Sequence, residues 1–429
     1  MRAPTPVRRL GGLCGLFTGA DYSEFRRGES FDRGPSLSRK ACEARPVSKP
    51  SESITADDRE ALARLVRGFV RREIMPKIDA WETACEFPRE LYTRAGDLGL
   101  LGLGFPEQYG GLPGDQRSMI VVVNELMQAA SGGLIAGLLS HGIGLPPIVN
   151  FGSEALKSRL VPPILRGERI CALAITEPGG GSDVANLKTR ARRDGDHYVV
   201  SGAKIFITSG MRADVITTAV RTGEPGLAGL SLLAIETKEG HPGLRRAPLK
   251  KMGWACSDTA AIYFDDYRVP ITNRLGPENH GFKVIMRNFN GERLMIAAMA
   301  IAASQVCLDE AVTYARIRET FGRALIRNQV IRHRLVDMAT KIHGARAFLE
   351  AIAAKVDAGA EPVAEVCLLK NAATECYEFC ADRALQILGG TGYMRGTRVE
   401  RLYRETKVLT IGGGAQEIMK ELAARQLGW

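Results

Sequence analysis

The chain lacks the patterns by which metal sites, disulfide frameworks and membrane spans are usually recognised. Its nine cysteines include no Cys-x-x-Cys pair, and its six histidines form neither a His-Glu-x-x-His nor a His-x-His pattern. Scattered thiols are typical of a reducing compartment, and no metal site is expected. No apolar run reaches the ~18 residues that a membrane-spanning helix needs, so the sequence predicts a soluble protein.

A dense run of Lys or Arg is also missing. The 58 basic and 48 acidic residues leave a formal net charge of +10, and the first 53 residues contribute ten bases and six acids to it. A mild positive excess suits an anionic small ligand, such as a nucleotide or a coenzyme A ester, better than it suits nucleic acid.

Residues 1–53 differ from the rest of the chain in composition. They are rich in Arg, Gly, Ser and Pro and have no hydrophobic periodicity. Arg8 and Arg9 precede a short apolar run, which leaves a targeting segment open. Because that run is short and glycine-rich, and acids begin at Asp21, a disordered leader or a start codon placed too early is favoured.

The remaining chain divides into helical, β and helical parts. Thr55 and Asp58 form a capping-box pattern that predicts the first helix. The 429 residues suffice for two or three packed domains. Strands are predicted at 198–208, 230–237 and 260–267, and long helices at 282–318, 328–357 and 362–388.

A glycine-rich loop is the most informative stretch. Residues 176–183, the first glycine loop, read Thr-Glu-Pro-Gly-Gly-Gly-Ser-Asp and follow an apolar run that predicts a buried strand. Three consecutive glycines leave backbone N–H groups open to a planar or phosphorylated ligand, and Thr176 and Ser182 add hydroxyls. A plain turn between strands is the alternative, and the loop alone does not decide between the two.

Two further motifs accompany that loop. Residues 318–322 read Arg-Glu-Thr-Phe-Gly, and residues 386–393 read Gln-Ile-Leu-Gly-Gly-Thr-Gly-Tyr within a motif that continues to Glu405. With the first glycine loop, they resemble the signatures of the acyl-CoA dehydrogenase family of flavoproteins. The resemblance extends from about residue 55 to residue 429, and Gly396 departs from it because the family usually has an acid or Asn there.

The resemblance implies an α+β fold with three domains. These are an N-terminal helical domain (54–170), a middle β-barrel-like domain (171–280) and a C-terminal four-helix bundle (281–429). It also implies FAD, an acyl-CoA substrate, an electron-transferring flavoprotein as electron acceptor, and a homotetramer or dimer whose neighbouring subunit completes each FAD site. We expect no nucleic-acid or membrane partner, and a cytoplasmic location, or the mitochondrial matrix if the leader is a transit peptide.

Carried over position by position, the resemblance implies an FAD site with two halves. Phe206 would cover the flavin ring, Thr208 would direct its hydroxyl toward flavin N5, and later residues would reach the FAD of the adjacent subunit. Without the resemblance, Arg318 would be interpreted as a solvated helix charge and Phe321 as a core residue. The implied cofactor residues are Leu173, Ala174, Thr176, Gly181, Ser182, Phe206, Ile207, Thr208, Arg318, Thr320, Phe321, Gln329, Gln386, Ile387, Leu388, Gly389, Gly390, Ala415 and Glu417.

The family reaction needs a carboxylate that removes the α-proton of an acyl thioester while a hydride leaves the β-carbon for flavin N5. In many members this Glu lies in a Tyr-Glu-Gly-Thr run, but the corresponding position here is Gly413. The isovaleryl and long-chain branches place the Glu in a Glu-Arg pair on the first long helix of the C-terminal domain. Glu292 and Arg293 match that pair, so Glu292 is the predicted base; the alternatives are an inactive protein or a surface ion pair.

The residues around Glu292 support this choice. Apolar neighbours such as Phe289 and Leu294 would raise the pKa of the carboxyl group toward the working range of a base. Gly291 costs roughly 1 kcal/mol of helix stability relative to Ala, which suggests close packing at that position against another group, with substrate as one candidate. Gly413 can still supply a backbone N–H to the thioester carbonyl. The implied substrate contacts are Ser182, Asn290, Arg293, Gly413 and Gly414.

Two alternative functions on the same fold stay open at this point. Reduced flavin could react with O₂ in an oxidase or monooxygenase, or the chain could belong to a DNA-binding branch that uses a basic face. Within the dehydrogenase interpretation, branches with a helix-borne Glu accept isovaleryl, long-chain or branched terpenoid acyl groups, as in citronellyl-CoA dehydrogenases.

Overall fold

The computed structural model describes residues 54–429, and the side chain of Arg287 lies outside the description. The predicted leader, residues 1–53, also lies outside the described residues. Helices come first, strands follow and helices return, which confirms the predicted α+β order.

Short helices build the N-terminal part. Thr55 caps the first of them, accepting from the Asp58 amide while the Asp58 side chain accepts from the Thr55 amide, as the capping-box pattern predicted. A single turn of π-helix, Val70–Ile74, extends that helix. The α-helices are α1 (Ala56–Phe69), α2 (Ile78–Ala84), α3 (Glu90–Asp97), α4 (Gln116–Leu126), α5 (Gly132–Leu138), α6 (His141–Gly144), α7 (Pro146–Phe151) and α8 (Glu154–Leu165).

An eight-stranded sheet forms the middle part. Its order is β6-β7-β3-β2-β4-β5-β8, and β1 pairs in parallel with β4 off this path. The sequence prediction found β1, β3, β5 and β7 but missed the other four, because β2 and β6 carry several charged residues and β4 has no alternating pattern. The strands are β1 (Cys171–Ala174), β2 (Arg190–Asp194), β3 (His197–Thr208), β4 (Val215–Arg221), β5 (Leu230–Glu236), β6 (Leu244–Pro248), β7 (Thr259–Pro270) and β8 (Arg274–Leu275).

Long helices form the C-terminal part around one apolar core. The longest, α9, is long and apolar enough to cross a membrane, but 67% of its most apolar window is buried in the protein. A two-stranded hairpin that the sequence did not predict interrupts the helices after α9. The elements are α9 (Gly281–Ile317), β9 (Glu319–Thr320), β10 (Arg323–Ala324), α10 (Gln329–Asp357), α11 (Val363–Leu388), α12 (Gly390–Tyr393), α13 (Arg398–Ile411) and α14 (Gln416–Leu427).

Candidate active site

A buried ion pair anchors the first glycine loop at its base. Lys204 of β3 is fully buried, and its Nζ donates to Glu177 Oε1 at 2.8 Å and to the Ile175 carbonyl at 3.0 Å. The two oxygens of Glu177 also accept the amides of Lys188 and Thr189, at 2.6 and 2.9 Å. Burial lowers the pKa of Lys204 to about 8, against the opposing effect of Glu177. The loop therefore leaves the sheet from a rigid base.

Strand β3 brings an aromatic ring beside that loop. The Ile205 amide donates to the Thr176 carbonyl at 2.9 Å, and the pairing of β3 with β7 slips between Lys204 and Ile207. At this bulge Phe206 has φ +61° and stays 65% exposed, while Ile207 is buried and Thr208 is half-buried. Because bulges redirect side chains, the Phe206 ring is left exposed beside the first glycine loop.

Glu292 lies on α9 next to Gly413. The residue is half-buried, but its Oε2 atom is covered and has no hydrogen-bond partner among residues 54–429. Burial raises the pKa of Glu292 to about 7, although the charges of Arg293 and Lys370 oppose the shift. A carboxylate of this kind is ionised in part near neutral pH and is free to accept a proton.

A second glycine loop, residues 412–414, faces Glu292. Gly413 has φ +65°, and a Cβ built on it would lie 3.9 Å from Glu292 Oε1 and 2.5 Å from Ile296 Cδ1. Arg293 donates from Nε to the Gly413 carbonyl at 3.1 Å and from Nη1 to Asn290 Oδ1 at 3.2 Å. Arg293 is only 4% exposed, so its guanidinium binds the loop and is shielded from solvent.

Gly291 packs against no other part of the described chain. It is exposed, and nothing in residues 54–429 lies within 4 Å of a Cβ built there, so the close packing that the sequence predicts stays a prediction about substrate. The missing side chain leaves open space beside Glu292.

Most of the remaining cofactor residues lie on the surface of the C-terminal part. The α9 helix ends at Arg318, which is extended and not helical, and Phe321 at the hairpin tip is fully exposed with φ +52°. Phe321 is therefore not a core residue. Gln386, Gly389 and Gly390 are exposed, as are Gln329 and Glu417, whereas Ile387 and Leu388 are buried and Ala415 is half-buried.

Two of the predicted groups pack against one apolar cluster. Leu173, near the end of β1, and Phe289 of α9 both border this cluster, so it links the strand before the first glycine loop to the helix that carries Glu292. Ala174 is buried, whereas Gly181 and Ser182 are exposed.

Sequence reasoning missed the buried cations that support both glycine loops. Lys204 was passed over within β3, and Lys370 within α11. Lys370 is fully buried among Val366, Leu369 and Ala373. A lysine on an otherwise apolar helix face was the signal that could have identified it, because lysine is almost never fully buried unless paired.

The residues present fit a flavin dinucleotide. A Cβ on Gly179, Gly389 or Gly390 would meet nothing within 4 Å in residues 54–429, so these backbones are open to a ligand. Within residues 54–429, no acceptor takes the amides of Gly181 and Ser182. Open backbone and free amides suit a phosphate-bearing group, and the exposed Phe206 ring suits a planar one.

Comparison with known proteins finds matches along the whole described chain. Residues 56–168, 172–267 and 279–428 match the family models described as acyl-CoA dehydrogenase N-terminal, middle and C-terminal domains. The mitochondrial long-chain specific acyl-CoA dehydrogenase of Sus scrofa is 35% identical and covers 87% of this chain and 87% of its own. An acyl-CoA dehydrogenase of Bacillus subtilis (strain 168) is 37% identical and covers 85% of this chain and 97% of its own.

The solved structures agree. The crystal structure of a protein described as a putative acyl-CoA dehydrogenase from Mycobacterium smegmatis is 48% identical to this chain. It superposes with a TM-score of 0.85 and covers 87% of this chain and 98% of its own.

Proposed function

Because the chain belongs to the acyl-CoA dehydrogenase family, we propose that Glu292 is the base that removes the α-proton of its acyl-CoA substrate. The protein is an FAD-dependent oxidoreductase that dehydrogenates acyl-CoA. The observation that carries the proposal is the Glu292 carboxylate, whose Oε2 is buried and without a partner in the described chain, next to a glycine at the alternative base position.

The environment of Glu292 suits a base that works near neutral pH. With its pKa raised to about 7 by burial, the carboxylate is more basic than an exposed Glu, yet a large fraction is ionised at pH 7. Removal of the α-proton leaves negative charge that spreads onto the thioester oxygen. That charge needs a donor at the carbonyl, since a buried anion without a partner is costly.

The second glycine loop supplies this donor in our proposal. Within residues 54–429, no acceptor takes the amides of Gly413, Gly414 and Ala415. Arg293 binds the Gly413 carbonyl and so fixes residue 413 within the loop. The amide of Gly413 then donates to the thioester oxygen, and the glycine fulfils one role of the family's usual Glu position without its carboxylate. Asn290, Gly414 and Ser182 line the same end of the substrate.

Thr176, Ser182, Phe206 and Thr208 would hold FAD, which when bound supplies the hydride acceptor for the β-carbon. The first glycine loop would bind the phosphate side with its free amides, and the Thr208 hydroxyl would face the flavin. The products are the 2,3-enoyl-CoA and two reducing equivalents, which we propose pass to an electron-transferring flavoprotein.

We further propose that a neighbouring subunit completes the FAD site. Phe321 is a fully exposed aromatic residue at a hairpin tip, and Tyr393 and Met394 are also largely exposed. Exposed apolar side chains of this size are typical of interaction surfaces. Arg318, Thr320 and Gln329 lie on the same hairpin and the start of α10, from which they would reach the partner's FAD.

Glu292→Gln tests the assignment of the base. The amide has nearly the same shape but cannot take a proton, so kcat should fall at least about 100-fold while FAD remains bound. Dye-linked acyl-CoA dehydrogenation and the flavin absorbance measure the two quantities. Glu350→Gln, at an exposed position on α10, is the matched control. Near-normal turnover of Glu292→Gln would end the assignment.

A further inference from the structure

Lys370 contacts the second glycine loop from the protein interior, where an uncompensated lysine is rarely found. It belongs to α11, is completely buried, and donates from Nζ to the Thr410 carbonyl at 3.1 Å and the Gly414 carbonyl at 2.9 Å. The first carbonyl belongs to the last turn of α13, and the second belongs to the last residue of the loop. One ammonium group therefore connects the helix before the loop to the end of the loop.

The two cations at this loop act on consecutive peptide groups. Arg293 binds the Gly413 carbonyl and Lys370 binds the Gly414 carbonyl. In a trans peptide the N–H points away from the carbonyl. The amides of Gly414 and Ala415 are therefore directed away from the cations, and no acceptor in residues 54–429 takes them. The Gly413 amide belongs to the preceding peptide group, so the two cations orient it by fixing the residues that follow it in the loop.

The charge of Lys370 also acts on Glu292. The positive charges of Arg293 and Lys370 both favour the ionised form of Glu292. The charged and titratable groups around Lys370 are Arg293 and Glu292 from α9, Cys367 from α11 and Glu417 from α14. Burial, with the charge of Arg293, lowers the pKa of Lys370 to about 8, so the amine is mostly protonated at neutral pH.

We infer that Lys370 is a positioning residue: it fixes the second glycine loop in the conformation from which the Gly413 amide donates to the thioester carbonyl, and it places a positive charge beside Glu292. This inference rests on the proposed function for the location of the carbonyl and for the role of Glu292. A lysine buried without such a task would be costly, because a buried ammonium must be paired or must give up its proton.

Two substitutions separate the hydrogen bonds of Lys370 from its charge. Lys370→Met keeps the length of the side chain but removes both, whereas Lys370→Gln retains an N–H donor without charge. Lys355→Met, which removes an exposed lysine of α10 that pairs with Glu365, is the matched control. Flavin absorbance and circular dichroism show whether each variant is folded and holds FAD.

Ligand binding tests the positioning role independently of Glu292. A 2,3-enoyl-CoA product carries the thioester carbonyl and is not turned over, whereas an S-alkyl-CoA thioether of equal length has no carbonyl. Lys370→Met should weaken enoyl-CoA binding about 10-fold, the size of one lost hydrogen bond, and thioether binding less than about 2-fold. Equal effects on the two ligands, or none, would overturn the positioning role.

The pH profile tests the effect of the charge. In Lys370→Gln the acid limb of kcat/KM should move to higher pH than in the wild type and in Lys355→Met, because Glu292 has lost a neighbouring positive charge. If the acid limb of Lys370→Gln stays at the wild-type pH while the variant is folded and holds flavin, the proposed effect of the charge on Glu292 is overturned. This test does not depend on whether Lys370→Met folds. If Glu292→Gln retains turnover, the proposed base fails, but the comparison of enoyl-CoA with the thioether still decides the role of Lys370 at the carbonyl.

Discussion

Glu292 and Gly413 point into the same space from two different elements: a Cβ on Gly413 would lie 3.9 Å from Glu292 Oε1. One residue comes from α9 and the other from the loop between α13 and α14. A carboxylate could reach this space from either backbone, but two together would repel each other and one would stay protonated. A glycine at position 413 therefore leaves room for the single carboxylate that Glu292 supplies.

Gly413→Ala should lower activity by disturbing this arrangement. The methyl group would meet Ile296 Cδ1 at 2.5 Å, and φ +65° is unfavourable for any residue with a Cβ, at roughly 1 kcal/mol. We expect kcat/KM to fall about 10-fold or more with FAD retained, since the loop amide would shift from the thioester carbonyl. Steady-state kinetics with one acyl-CoA measures the loss.

Ile296→Val provides the control for that clash. It removes Cδ1, so the double variant Gly413→Ala with Ile296→Val should recover part of the lost activity. Gly412→Ala, in the same loop but with φ −66°, should have a much smaller effect. If the double variant is no better than Gly413→Ala, contact with Ile296 is not the cause.

The sequence was sufficient to predict the fold and to single out Glu292 as the candidate base, because both inferences depend on local patterns and on recognised motifs. The long helices predicted at 282–318, 328–357 and 362–388 differ from the observed ones by at most one residue at each end. The supports of the site were missed since they depend on distant contacts. Lys370 and Gly414 are 44 residues apart, and the hydrophobic periodicity of a sequence does not predict a hydrogen bond over that distance. Likewise, the open space beside Gly291 depends on which parts of the folded chain face this side of α9.

The pH dependence of catalysis should report the ionisation of Glu292. Only the carboxylate accepts a proton, so with a pKa of about 7 kcat/KM should rise with pH up to about 7 and level off above it. Below the pKa it should fall about tenfold per pH unit. Initial rates between pH 5.5 and 8 measure this, with flavin absorbance showing that FAD stays bound. Constant activity down to pH 5.5 would contradict a raised pKa at the base.

Lys204→Met should destabilise the protein and weaken FAD binding together. Glu177 would remain buried without its cation, and breaking such a pair typically costs about 3–5 kcal/mol. The double variant Glu177→Gln with Lys204→Met should be more stable than Lys204→Met alone, because no unpaired charge remains. Thermal unfolding and the flavin-to-protein absorbance ratio measure the two effects. A double variant less stable than both single variants would argue against the unpaired charge as the cause.

Gly291→Ala should stabilise the fold and impair substrate binding at the same time. A Cβ there meets nothing within 4 Å in the described chain, so alanine should add about 1 kcal/mol of helix stability. Gly344→Ala is the matched control, because Gly344 is an exposed glycine of α10 with equally open surroundings. Both variants should unfold at a higher temperature, but only Gly291→Ala should raise KM for acyl-CoA, since its methyl group enters the space beside the base. If KM is unchanged in both, the open space at Gly291 is not used by the substrate.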